Sequence, residues 1–176
     1  KRDAEAKRCI RRAIRAYLGW KLLESDFSGI EVCINACYNH DPTLVKDVTD
    51  PKADMHRDSA AELFMLPKNE IEKMIRFYAK NCWVFPQFYG DWYFSCAKEL
   101  WKECLPLKTS SGFTVVDHLK SKGIIEFDQF AEHCKKVEQN FWDVRFKVYD
   151  QWKKDIQKEY RKNGFIETYV GFRFSQ

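Results

Sequence analysis

Gly19-Trp20-Lys21-Leu22-Leu23-Glu24 is a short apolar run that ends at Ser25 and predicts a strand. The period then changes. From Ile30 through Val32, Cys33 and Ile34 to Tyr38, apolar residues recur at helical spacing. Asp26 therefore stands at a predicted strand-to-helix junction, where open α/β sheets collect their ligands. Asp41-Pro42 breaks the pattern and opens a short helix to Val48. A further helix starts after Asp54, with His56 in its first turn and Ala60, Ala61, Leu63 and Phe64 as its buried side, and Pro67 stops it. From Lys68, the spacing of Ile71, Met74 and Ile75 predicts a longer helix to Gly90, distorted at Pro86, whose ring clashes with the carbonyl four residues back.

Trp92, Tyr93, Phe94, Leu100 and Trp101 mark a helix from Asp91 to Glu103, and Leu105–Gly112 reads as a loop. Residues 106–126 read as a small insertion, with Val115, Val116, Leu119, Ile124 and Ile125 supplying its own apolar contacts. Two helices follow, over Asp128–Val137 and Phe141–Arg161, and end at Asn163-Gly164, where glycine supplies the left-handed cap. Phe165–Val170 and Phe172–Phe174 alternate as a closing hairpin would. The expected fold class is α+β, predominantly helical, with a few strands.

At 176 residues the chain is long enough for one domain with its own core. No apolar run approaches the roughly 20 residues that span a bilayer. The first residue is Lys1, with neither an initiator methionine nor a signal-like stretch, so the start reads as processed or truncated. A formal charge of +4 does not by itself announce a nucleic-acid binder, although basic residues crowd both ends, from Lys1 to Arg15 and from Lys153 to Lys162. Seven cysteines, an odd number without a CxxC pair, point to a reducing, intracellular compartment rather than a disulfide framework. Cys33, Cys37 and His40 have a spacing that could place three zinc ligands on one helical face, but no fourth ligand is evident nearby, and both cysteines fit the apolar face of a buried helix.

Arg76 and Lys80 are four apart on the long helix, so both cations project from one face. Like charges so placed repel unless an anion sits above them, which hints at a phosphate ligand.

Taken together, these stretches resemble the family A DNA polymerases, from Ile10 to Arg173. "DFSGIE" at Asp26–Glu31 is similar to the family's motif A, Asp-Tyr-Ser-Gln-Ile-Glu, and "IRRA" with Gly19-Trp20 resembles the entry to the palm. "HDPTLVKDV" at His40–Val48 resembles a Gly-Asp-Pro-x-Leu segment, and "ADMH" at Ala53–His56 an Asp-Ile-His. "RFYAK" at Arg76–Lys80 with "FYG" at Phe88–Gly90 resembles motif B on the O helix of the fingers, and "NGFIETYVGFR" the hairpin leaving them. The resemblance implies a partial palm with motif A over residues 1–40, fingers over 41–164 with the O helix at about 68–90, and a returning hairpin over 165–176.

It also implies roles. Asp26 would be a catalytic carboxylate holding Mg²⁺, with the backbone carbonyl of Phe27 beside it. Glu31 would be a steric gate favouring deoxynucleotides. Arg76, Lys80 and His56 would grip the dNTP triphosphate, with Lys80 donating a proton to the leaving group, while Phe85 and Tyr89 would complete the nucleotide site. One more residue separates Lys80 from Tyr89 than in the family. Counting back from Tyr89 puts Phe85 at the aromatic position, whereas counting forward from Lys80 puts Val84 there; Phe85 is preferred, with the extra residue absorbed as a bulge near Pro86.

The sequence reaches Gln176 without the His-Asp-Glu of motif C, the source of the second metal carboxylate. The expectation is a fragment or split subunit, inactive alone, which binds template-primer DNA and dNTP and needs other chains carrying motif C, thumb and exonuclease. Two rivals stay open: a single-subunit phage-type RNA polymerase fragment, against which Glu31 argues, and a non-catalytic module that binds nucleic acid or a partner.

Overall fold

The computed structural model describes residues 9–175 except Arg11 and Ser28. The chain divides into two compact units, Lys1–Ile30 and Glu31–Gln176. In the first, Lys21–Phe27 has no regular structure, so the strand expected at Gly19–Glu24 does not form. The physical reason is a missing ladder: a strand needs a neighbour for its N–H and C=O groups, and the sheet formed by the described residues is two-stranded and drawn entirely from the far end of the sequence.

The second unit is helical. It comprises α1 (Ile30–Asn39), α2 (Pro42–Thr49), α3 (Met55–Phe64), a 3₁₀ turn (Lys68–Glu70), α4 (Lys73–Ala79), a π turn (Lys80–Val84), α5 (Phe85–Phe88), α6 (Tyr93–Cys104), α7 (Val115–Ser121), α8 (Phe127–Asn140), a second π turn (Phe141–Arg145) and α9 (Lys147–Asn163). Strands β1 (Phe165–Glu167) and β2 (Arg173–Ser175) close it as an antiparallel pair in the register Ile166 opposite Phe174. Among the described residues, no helix is long and apolar enough to cross a membrane.

The helix boundaries follow capping chemistry. Asp41, 1% exposed, accepts the Thr43 and Leu44 N–H groups on Oδ1 at 2.9 and 3.1 Å, and those of Val148 and Tyr149 on Oδ2, both at 3.0 Å. Four backbone donors make a buried carboxylate tolerable and fasten the start of α2 to α9. Gly164, at φ 74°, ends α9 in the left-handed conformation that glycine adopts without steric penalty.

The helix expected from Lys68 to Gly90 is interrupted. The 3₁₀ turn ends at Glu70, Ile71 and Glu72 are extended, and regular helix begins at Lys73. Ile71 is buried, and the Arg57 guanidinium donates through Nη1 to the Lys68 and Ile71 carbonyls at 2.9 Å each, so the side chain satisfies acceptors that a continuous helix would have used itself.

The core runs through α3, α4, α6 and α8, with Phe64, Leu63, Ile75, Trp83, Leu100 and Phe130 fully buried. The buried apolar residues of 106–126 are not a separate cluster: Val115, Leu119 and Ile124 belong to the same core, while Ile125 is exposed. The segment is tied down by His118, whose Nε2 donates to the Met65 carbonyl at 2.9 Å, and by Ser111, bonded through N and Oγ to Glu70. All seven cysteines are free, and among the described residues no group of three or more His, Cys, Asp or Glu side chains is arranged to hold a metal ion.

Candidate functional site

The helix from α4 to α5 has two faces. Ile75, Ala79, Trp83, Val84 and Gln87 point into the core, whereas Arg76, Lys80 and Phe85 are half-buried on the other side. The π turn sets that division. Within it the Phe85 N–H bonds to the Lys80 carbonyl, five residues back instead of four, which absorbs one extra residue without breaking the helix. Lys80 Nζ consequently lies 4.9 Å from the Phe85 ring centroid, a cation–π contact, while Val84 is fully buried. Pro86 follows the π turn inside α5, so the bulge precedes the proline instead of interrupting the helix at it.

Gln87 locks the far end. Its Nε2 donates to Glu138 Oε1 at 2.7 Å, and its Oε1 accepts from Trp142 Nε1 at 2.8 Å. The helix is thereby held against α8 and the second π turn, which fixes where its polar face looks.

The start of α3 faces that polar side. His56 meets Phe85 edge-on, with ring centroids 6.0 Å apart and planes at 84°. Burial, and then the charges of Arg76 and Lys80, hold the imidazole down to about 4, outweighing the opposite pull of Asp54. His56 is therefore neutral at pH 7, and its buried Nδ1 has no hydrogen-bond partner. Asp54 caps α3 by accepting the Arg57 N–H at 3.1 Å, and takes Arg76 Nε on both oxygens at 3.0 and 2.8 Å. Burial works to raise the Asp54 carboxyl, but the Arg76 hydrogen bond, the Arg57 N–H and the two guanidinium charges prevail and keep it below the ordinary carboxylate value.

Four of the eight sequence-predicted residues thus converge: His56, Arg76, Lys80 and Phe85. Tyr89 lies one residue past α5, 76% exposed. Glu31 is exposed in the first turn of α1. Asp26 and Phe27 belong to the first unit, exposed on its irregular segment. The residue that sequence reasoning overlooked is Asp54, read only as a helix start, although it lies within the "ADMH" stretch. A helix-capping acid gives no sign in sequence that it also grips an arginine 22 positions away.

A helix carrying two cations and an aromatic ring on one face, interrupted by a π turn and set in a mostly helical module that ends in a two-stranded hairpin, is an α+β arrangement of the polymerase fingers-like kind. The sequence matches DNA polymerase family A over residues 1–175, and the chain belongs to that family. It is 26% identical over 164 residues, 93% of its length, to the thermostable DNA polymerase I of Thermus thermophilus, and 27% over the same span to the DNA polymerase theta of Mus musculus. Over 99 residues, 56% of the chain, it is 38% identical to the DNA polymerase I of Pseudomonas aeruginosa. The chain spans 16%, 5% and 10% of those relatives' lengths, respectively. In fold it is similar to the POL domain of Pol1 from M. smegmatis, solved in complex with DNA primer-template and dNTP: TM-score 0.55, 21% identity, covering 85% of this chain and 21% of that one.

Proposed function

We propose that this chain is the nucleotide-gripping part of a template-directed DNA polymerase, a fragment or split subunit that works with other chains or segments supplying the second metal carboxylate, the thumb and the exonuclease. The observation that carries the reading is the convergence of Arg76, Lys80, Phe85 and neutral His56 on one face. Phosphoryl transfer leaves a protein little covalent chemistry, so catalysis rests on positioning and on charge aimed at the phosphates. Arg76 and Lys80 supply that charge. Lys80, nearest the bond that breaks, gives a proton from Nζ to the departing pyrophosphate oxygen. His56 holds the phosphates from α3, and Phe85 and Tyr89 pack against the sugar and base. Glu31 fills the space of a ribose 2′-hydroxyl and so favours dNTPs.

Mg²⁺ takes oxygen donors, and the Asp26 carboxylate and Phe27 carbonyl are of that kind, on a segment open to solvent. These two donors would hold such an ion, and the rest of its oxygen ligands would come from outside this segment. When bound, such ions neutralise charge on the reacting phosphates.

The test is primer extension with dNTPs and Mg²⁺, using this chain purified with whatever accompanies it from its native host. Synthesis should be lost in Asp26→Ala and Lys80→Ala while circular dichroism stays unchanged. Wild-type rates from either variant would overturn the assignment, and efficient ribonucleotide incorporation would transfer it to an RNA polymerase.

A further inference from the structure

Resting on that reading, we propose that Asp54 is a positioning residue for the triphosphate: its carboxylate holds the Arg76 guanidinium by the Nε edge and turns the two Nη groups toward the ligand.

Both Asp54 oxygens accept from Nε, at 3.0 and 2.8 Å, and among the described residues neither Nη1 nor Nη2 of Arg76 has a hydrogen-bond partner. The edge of the fork suited to paired phosphate contacts is therefore left for the ligand. The neighbouring guanidinium cannot substitute, because Arg57 is committed through Nη1 to two backbone carbonyls and lies 3.5 Å from Asp54 through Nε. The same carboxylate caps α3, the helix that carries His56, so one side chain sets the positions of two groups facing the ligand.

Electrostatics makes this more than a restatement of an ion pair. An acid beside an anion site repels the anion. If Asp54 served only as a cap or a neutralising charge, its removal would leave triphosphate binding unchanged or tighten it. If it orients Arg76, its removal weakens binding, because the freed arginine must be ordered again by the ligand. The two accounts predict opposite signs.

The experiment is calorimetric titration of this chain with inorganic tripolyphosphate. Asp54→Asn keeps Oδ1 for the cap, since asparagine is as good an N-cap as aspartate, but removes the charge and puts an NH₂ donor in place of Oδ2, the nearer acceptor of Arg76 Nε at 2.8 Å, so that Nε keeps only the 3.0 Å contact to the oxygen it shares with the cap. The expected result is about three- to tenfold weaker binding, the cost of ordering one long side chain. In an Arg76→Lys background, where the fork is gone, the same substitution should add no further loss. Should Asp54→Asn lower the melting temperature, Asp54→Ser, which also caps, is expected to give the same weakening. Unchanged or tighter binding by these variants, or an equal loss in the lysine background, overturns the inference alone, provided that wild-type binding is present and Lys80→Ala removes it. A wild-type chain that binds no tripolyphosphate overturns the nucleotide site and the inference with it.

Discussion

The two faces of the helix from Lys73 to Phe88 obey different rules. On the inner face, Ile75, Ala79, Trp83 and Val84 are fully buried, and their identities are set by packing. On the outer face, Arg76 and Lys80 place like charges one turn apart beside a histidine held neutral, and Arg76 is paired with Asp54. The inner face holds the helix still; the outer face uses that rigidity to present charge. Substitutions on the first should move stability, and substitutions on the second should move binding.

The largest effect is expected at Trp83. Trp83→Ala should cost about 3–5 kcal/mol, read as a lower midpoint in urea unfolding. Trp83 Nε1 is buried without a hydrogen-bond partner, so Trp83→Phe, which deletes that donor, should cost well under half as much. Lys80→Ala is the opposite case: dNTP binding should fall about ten- to a hundredfold, the loss of a charged hydrogen bond, with unfolding stability unchanged within about 0.5 kcal/mol.

His56 gives a smaller, pH-dependent effect. With its folded value near 4 and its unfolded value at 6.5, the unfolded chain binds more protons between those limits. Stability should therefore fall as pH drops from 6.5 to 4, by on the order of 1 kcal/mol, a figure reduced because the ring keeps part of its surface in water. His56→Gln should flatten that slope. Binding should show the reverse sign: bound phosphates offset Arg76 and Lys80, the imidazole takes up a proton, and wild-type affinity should gain on His56→Gln as pH falls through this window.

The smallest effect sharpens the account of the π turn. Deleting exposed Asn81 makes Phe85 the fourth residue after Lys80 instead of the fifth, still on the same face in a regular α-helix. Stability and dNTP affinity should stay within about 0.5 kcal/mol of wild type. Inserting an alanine after Asn81 carries Phe85 off that face and should weaken dNTP binding severalfold.

Much of this was legible in sequence because it rests on local chemistry. Asp41-Pro42, Asp54 and Asn163-Gly164 mark helix ends by capping, and the placing of Arg76 and Lys80 on one face follows from helical spacing alone. The choice of Phe85 over Val84 beside Lys80 depended on where an extra residue is absorbed. Sequence pointed to the neighbourhood of Pro86, whereas the turn lies over Lys80–Val84, ahead of the proline. What sequence concealed is long-range. The break at Ile71–Glu72 depends on Arg57 reaching across to two carbonyls. The merging of Val115 and Leu119 into the main core depends on where residues 106–126 dock. The apolar run at Gly19–Glu24 has strand composition, yet a strand exists only where a neighbour pairs with it.

The central claim is that the outer face of this helix binds a nucleoside triphosphate. Its most direct test is to titrate the ¹⁵N-labelled chain with dATP and follow backbone and side-chain resonances. The account predicts saturable shifts concentrated on His56, Arg76, Lys80 and Phe85, with the inner-face residues Ile75 and Trp83 nearly still. Shifts clustered elsewhere, or none at millimolar dATP, would contradict it.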